Sequence, residues 1–328
     1  MADKVAVVTG SNKGIGFGIV RALCKRGIGN VYLTARNVQR GKEAIAILSK
    51  EGYKPLFYQL DVTDEQSVKS FAEHLKQNHA GLDILINNAA IATANFTETT
   101  YEDSVQVLNA NYYSILTIQK YIFPLLKNNA RVVNISSNCG HITNLKNTYW
   151  INRLTKDDIN QEDIDAFVVW FLNSVKDGTL KEEDFQEMPL LAYRISKIAV
   201  CALTRLQQKE VERDISVNSL HPGFVKTDMV KTVGDLTIDE ASDAPVYLAL
   251  NIDQSVKGKY FWFDKTEKDW ADTNAQNLYC PYALLKRYLE ESKENLQRIK
   301  KSKGSRKLIS IKLTKRQNAH QLSCQHDR

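Results

Sequence analysis

Residues 5–24 limit the possible folds more than any other stretch. Val5-Ala-Val-Val8 is a short apolar run, the pattern of a strand buried on both faces in a parallel sheet. Gly10, Gly14 and Gly16 follow it, and Ile15, Ile19, Val20 and Leu23 then recur at helical spacing toward Cys24. A strand, a glycine turn and a helix in this order aim backbone N–H groups and a helix N-terminus at one point, which suits a pyrophosphate. Glycine serves where the chain bends sharply and where backbone must approach phosphate with no Cβ in the way. The spacing is Thr9-Gly-x-x-x-Gly-x-Gly.

The same alternation continues. Asn30–Ala35, Pro55–Leu60, Leu82–Ile86 and Arg131–Ile135 read as strands, with helices near 15–24, 38–51, 64–79 and 101–127, the last interrupted by Pro124. A helix over 190–212, a strand over 215–219 and a last strand over Tyr260-Phe-Trp-Phe263 complete the pattern. Strands alternating with helices predict an α/β fold: a Rossmann-type doubly wound parallel sheet with helices on both faces. Ligands in such sheets bind beyond the C-terminal strand ends. The polar residues Arg36, Asp61, Asn87-Asn88 and Ser136-Ser137 all fall there.

The 55 residues between Ser137 and Tyr193 exceed an ordinary connection. Ile159, Ile164, Phe167, Val168, Phe171, Leu172 and Val175 give 157–176 an apolar helical face, so about 141–189 is expected to be a helical insertion over the site. Residues 1–270 are read as one domain and 271–328 as a basic extension, helical near 282–299 and disordered beyond. That extension carries 13 Lys/Arg against 5 Asp/Glu, although the whole chain is only +6. The basic balance therefore belongs to the tail, and nucleic acid is not an expected partner of the main domain. No apolar run reaches the roughly 20 residues that span a bilayer. The N-terminus enters the first strand too early for a signal peptide. Five scattered cysteines suit reduced thiols in a cytoplasmic protein. Six scattered histidines lack ligand spacing, so no metal is expected.

Tyr193 and Lys197 stand one helical turn apart in Ala-Tyr-Arg-Ile-Ser-Lys. A free phenol, with a pKa of about 10, is a sluggish acid near neutrality. An ammonium roughly 4 Å away contributes up to about 4 kcal/mol at an effective dielectric near 20, enough to lower that pKa by about 3 units. Alone, Y-x-x-x-K is also what a core tyrosine beside a solvated lysine would give. The accompanying motifs decide between the two. Thr9-Gly-Ser-Asn-Lys-Gly-Ile-Gly16, Leu33-Thr-Ala-Arg36, Leu60-Asp-Val62, Asn87-Asn-Ala89, Asn111, Val132-Val-Asn-Ile-Ser-Ser137, Tyr193/Lys197 and His221-Pro-Gly-Phe-Val-Lys-Thr227 occur in one order. Over residues 4–270 the chain thereby resembles the short-chain dehydrogenase/reductase family, and within it the cytosolic NADPH-dependent carbonyl reductases.

The resemblance implies that Ser137 donates a hydrogen bond to a substrate carbonyl and Tyr193 protonates the developing alkoxide. Lys197 would grip the nicotinamide ribose and tune the tyrosine, and Asn111 would hold a water linking lysine to solvent. It further implies cofactor contacts from Gly10, Asn12, Lys13, Gly14, Ile15 and Gly16, with Asp61 and Val62 at the adenine and Asn88 and Ala89 at the midsection. Pro222, Gly223, Val225 and Thr227 would lie on the nicotinamide side, and Phe224 and Ile142 would join Ser137 in the substrate pocket. NAD sites usually place an acid at the end of the second strand for the ribose 2′-OH. Here Arg36 and Lys13 flank that spot, which favours the 2′-phosphate of NADPH.

Two positions depart from the family pattern: Ala90 where glycine is usual and Ser114 where a smaller residue is. His141 and His221 read either as pocket-lining residues or as incidental loop histidines. The long segment before Tyr193 resembles the one that covers the pairing helices in the carbonyl reductases, so a monomer is expected. The activity expected first is NADPH-dependent reduction of ketones, aldehydes or quinones. A dehydrogenase acting on a specific alcohol, such as a steroid, prostaglandin or pterin, is second. A non-catalytic dinucleotide-binding scaffold or sensor is third.

Overall fold

The computed structural model of the chain describes residues 1–93, 95–230, 234–275, 286 and 290. Five parallel strands form first: β1 (Val5–Val8), β2 (Asn30–Ala35), β3 (Leu56–Gln59), β4 (Leu82–Asn87) and β5 (Leu126–Ile135). Helices α1 (Gly14–Lys25), α2 (Val38–Lys50), α3 (Glu65–Asn78), α4 (Tyr101–Leu108) and α5 (Ser114–Ile122) connect them. The insertion contributes α6 (Thr148–Thr155) and α7 (Gln161–Lys176). Then come α8 (Leu191–Glu210), β6 (Ser216–Leu220), α9 (Ile238–Leu250), β7 (Tyr260–Phe261) and β8 (Glu267–Lys268).

The sheet order is β3-β2-β1-β4-β5-β6-β7-β8, with β8 alone antiparallel. Order reverses between β1 and β4, and a doubly wound sheet opens its ligand crevice at such a point. The apolar run of β1 and the mixed sequence of β6 are buried along their lengths, and β4 is buried except at Asp83, because helices cover both faces.

The main compact unit is Met1–Tyr282, and Ala283–Arg328 forms a second. In that second unit, described Lys286 pairs with Glu290 one turn on at 3.9 Å. The expected tail helix and disorder otherwise lie outside the described residues.

Three expectations change. First, β5 begins at Leu126 rather than Arg131, because Leu126 already pairs with Leu82. Second, the 101–127 helix is broken by a π-helical turn, Asn109–Tyr113. Third, the long helix of the insertion is built into the main core. This helix, α7, packs on α4 and α8, where Ile164, Phe167, Val168 and Phe171 join Val107, Leu108, Ile195 and Leu203 in one buried cluster. Each such buried side chain contributes about 1.5–3 kcal/mol.

Candidate active site

The glycine turn is held from beneath. Thr9 Oγ1 accepts hydrogen bonds from the backbone N–H groups of Asn88 and Ala89, both at 3.0 Å. Asn88 Nδ2 returns bonds to Thr9 O at 2.9 Å and Gly10 O at 3.1 Å. Gly10 and Gly14 take φ of +60° and +59°, the left-handed region that favours glycine. A Cβ on Gly10 would stand 2.8 Å from Ala89 Cα, and one on Gly16 would stand 2.4 Å from Asn88 Nδ2. Asn88 and Ala89, expected at the cofactor's midsection, thus also build the floor of the turn.

Above that floor, α1 begins with no side-chain cap and no acidic residue in its first turn. Asn37, Asp64, Thr100, Asn147, Asn160 and Thr237 cap the starts of α2, α3, α4, α6, α7 and α9. An uncapped start leaves N–H groups and the positive end of the helix dipole for an anion. A Cβ on Gly14 would lie 3.5 Å from Thr227 Cγ2, so the loop after β6 faces this turn. The residues present fit a dinucleotide pyrophosphate. Asn12 and Ile15 are half-buried beside it.

Of the two expected phosphate cations, Arg36 is exposed just past β2, and its carbonyl accepts from Gln59 Nε2 at 3.2 Å. Lys13 pairs with Asp228 at 2.8 Å, and its ammonium holds that carboxyl below the usual carboxylate range. Asp61 Oδ1 accepts from Thr63 N and Oγ1, which leaves the carboxylate half-buried beside Val62. Pro222 and Val225 are buried, and Gly223, at φ +90°, runs between Leu236 and Phe263.

The expected catalytic residues come together where β5, α8 and the π turn meet. Lys197 is buried, and its Nζ donates to Ile135 O at 2.7 Å, two residues before Ser137. Burial lowers this ammonium to about 8. Nζ lies 5.5 Å from the centroid of the half-buried Tyr193 ring. Asn111, on the π turn, donates its amide to Ile91 O and Ser196 Oγ, both at 2.9 Å. Ser196 in turn donates to Tyr193 O at 2.7 Å. Ser137 Oγ donates to Asn138 Oδ1 at 3.1 Å and accepts from Cys139 N at 3.2 Å. The loop it begins lies flush on α8: a Cβ on Gly140 would stand 2.6 Å from Lys197 O.

Several sequence readings need correction. Ile142, expected in the substrate pocket, is fully buried in the cluster shared with the insertion. His141 is neither pocket lining nor incidental: it is fully buried, bonded to Thr143 Oγ1 at 3.0 Å and to Asp269 O at 2.9 Å. His221 is buried against Trp262, and burial pushes its imidazolium down to about 3. The two departures are absorbed. Ser114 Oγ donates to Ala110 O at 2.7 Å, and Ala90 is not among the positive-φ positions. Phe224 stays half-buried beside the glycine at 223.

Sequence reasoning missed Arg194. This buried guanidinium joins Asn144 to Glu187, the latter at 3.0 Å, and donates to Pro189 O at 2.8 Å. It ties both ends of the long insertion beside Tyr193. An arginine inside an otherwise apolar helical face was the available signal. Tyr260 and Trp270 were also missed, and both donate into the Ser137 loop, to Ser137 O and Gly140 O.

The chain matches the short chain dehydrogenase family model over residues 4–149 and 185–236. The gap between the two stretches takes in α7 and most of α6. Carbonyl reductase [NADPH] 3 of Mus musculus is 36% identical over 256 residues, covering 76% of this chain and 91% of that protein. (+)-Neomenthol dehydrogenase of Arabidopsis thaliana is 37% identical over 274 residues, covering 75% and 91% respectively. The solved structure of salutaridine reductase from Papaver somniferum superposes with a TM-score of 0.73 at 31% identity, covering 79% of this chain and 99% of that one.

Proposed function

We propose a function from one premise: this chain belongs to the short-chain dehydrogenase/reductase family. It is an NADPH-dependent oxidoreductase that reduces carbonyl compounds to alcohols. The observation that carries the reading is the convergence of Asn111, Ser137, Tyr193 and Lys197 beside a glycine turn whose helix start is uncapped. A nucleotide-binding scaffold would have no use for that set.

Bound NADPH supplies a hydride to the carbonyl carbon. The remaining work falls to side chains of this chain. Ser137 Oγ turns from Asn138 to donate to the carbonyl oxygen, where negative charge grows. Tyr193 gives its phenolic proton to that oxygen as the alkoxide forms. The Lys197 ammonium makes this proton easier to give, and it has N–H donors beyond the one engaged by Ile135 O to offer the ribose hydroxyls. Both amide hydrogens of Asn111 are engaged, so its part in returning a proton to Lys197 falls to its backbone carbonyl. A π turn interrupts the helical ladder at that point. Gly10, Asn12, Gly14, Ile15 and Gly16 hold the pyrophosphate, Asp61 and Val62 frame the adenine, and Pro222, Gly223, Val225 and Thr227 flank the nicotinamide. Arg36 meets the 2′-phosphate, joined by Lys13 once it leaves Asp228. Phe224 walls the carbonyl pocket.

The protein acts as a cytoplasmic monomer. Three described cysteines are free, in keeping with a reducing compartment. The insertion occupies the α4/α8 face through which other family members pair.

A panel of aldehydes, ketones and quinones, run with NADPH and with NADH, tests the reading. The expected result is NADPH oxidation that Tyr193→Phe abolishes and a preference over NADH that Arg36→Asp narrows. Equal or better kcat/KM with NADH would sink the cofactor assignment. Turnover of alcohols with NADP⁺ and none of carbonyls would favour the alcohol dehydrogenase suggested by the neomenthol relative.

A further inference from the structure

The Ser137 loop carries more fixed contacts than a surface turn needs, and many come from far along the chain. Ser137 O accepts from Tyr260 Oη at 3.0 Å, and Gly140 O accepts from Trp270 Nε1 at 2.6 Å. His141 Nε2 meets Asp269 O at 2.9 Å. Asn144 Nδ2 supplies the carbonyls of Asn138 and His141, both at 2.9 Å. The carbonyls of residues 137, 138, 140 and 141 therefore all have a side-chain donor. Buried backbone groups must be paired, but pairing within the loop or to water would suffice. Here the donors for 137 and 140, and the acceptor for His141, lie in residues 260–270, outside the stretches the family model matches.

Those residues stand on a firm base. Tyr260 and Phe261 pair in register with Ser219 and Leu220 of β6, and Leu220 pairs with Ile135 of β5. Ser137 follows Ile135 by two residues, so loop and donors share one sheet. Trp270 is buried under the guanidinium of Arg205, 5.7 Å from its ring, and Arg205 also donates to Leu154 O and Thr155 O. Tyr260 is buried too, leaving its hydroxyl no solvent partner to exchange for.

We propose that Tyr260, Asp269 and Trp270 form a C-terminal brace that holds Ser137 in register for catalysis, with Tyr260 and Trp270 as positioning residues. The proposal rests on the reductase reading above. Neither residue needs to touch substrate. Each removes freedom from the loop whose hydroxyl must meet the carbonyl oxygen, and misplacement by about 1 Å costs on the order of a hundredfold in rate.

The test uses the full chain with Tyr260→Phe and, separately, Trp270→Phe. Both keep a ring in place and delete one donor. Four quantities are read: kcat and KM for a reducible carbonyl, NADPH affinity by fluorescence titration, melting temperature, and hydrogen exchange of the amides of residues 139–144. A brace predicts kcat lower by about tenfold or more, NADPH affinity unchanged within about twofold, and faster exchange confined to the loop. Wild-type kcat with wild-type exchange in both variants overturns it. So does a parallel fall of kcat, NADPH affinity and melting temperature, which would mark general damage. If the unsubstituted chain reduces nothing on the panel, the reductase reading fails, while exchange still decides whether the loop is braced.

Discussion

Lys197 is a charge kept where charge is hard to keep. With its side chain buried, its ammonium is lowered to about 8, desolvation being the largest cause. The sign of the consequence follows. Below that pH the cation is present to bind ribose hydroxyls and to ease proton loss from Tyr193, and above it both effects fade. We therefore expect kcat/KM for NADPH to fall as pH rises through about 8. The kcat limb should lie higher, because a bound anionic nucleotide favours the cation. Steady-state kinetics from pH 6 to 10 read both limbs. A flat kcat/KM across that range, or the same limb in Lys197→Met, would show that another group titrates. The i, i+4 spacing of Tyr193 and Lys197 was legible in the sequence. The Ile135 carbonyl that holds the ammonium was not, because only the fold brings the end of β5 under α8.

Elements with strong apolar periodicity were read almost to their ends: β2 spans Asn30–Ala35 as expected, and α3 spans Glu65–Asn78 against an expected 64–79. The π turn at Asn109–Tyr113 went unread, since α4 and α5 on either side of it are too short to show the shift of apolar register that one extra residue makes. Helix α9 went unread although Thr237-Ile-Asp-Glu240 is a capping box, with both reciprocal bonds formed. Pro245 inside it disguised the helix. Yet α9 is a main neighbour of α1, and Gly18 is what lets the two approach. A Cβ there would stand 2.3 Å from Ser242 Oγ and 2.9 Å from Ile238 O. Gly18→Ala should thus cost about 1–3 kcal/mol by forcing α9 outward, despite the better helix propensity of alanine. Urea unfolding measures it. A variant as stable as the parent would mean that α9 yields freely and is not fixed by this contact.

At the scale of the whole molecule, fold class and strand alternation could be read from sequence because they depend on which residues are apolar. What covers what depends on geometry: the apolar face of the insertion was plain, but not that α4 and α8 would receive it. The histidines illustrate the same limit. As letters His141 and His221 are candidate pocket groups, but in the fold both are buried, and His79, just past α3, is partly so. Desolvation, the largest cause in each, lowers all three, His221 down to about 3. A histidine whose folded pKa is depressed binds fewer protons than its unfolded counterpart, so stability is held above about pH 6.5 and lost as pH falls below it. Each such group removes up to about 1.4 kcal/mol per pH unit until its folded pKa is reached. Through His221 the chain should therefore be about 2 kcal/mol less stable at about pH 5 than at about pH 7.5, before most carboxylates protonate. Urea midpoints across that range measure the slope, and His221→Asn should flatten it by removing the most deeply shifted member. If the slope survives in that variant unchanged, the imidazole at 221 already charges within the fold. The aromatic wall of Trp262 and Phe263 against which it packs would then have to admit water.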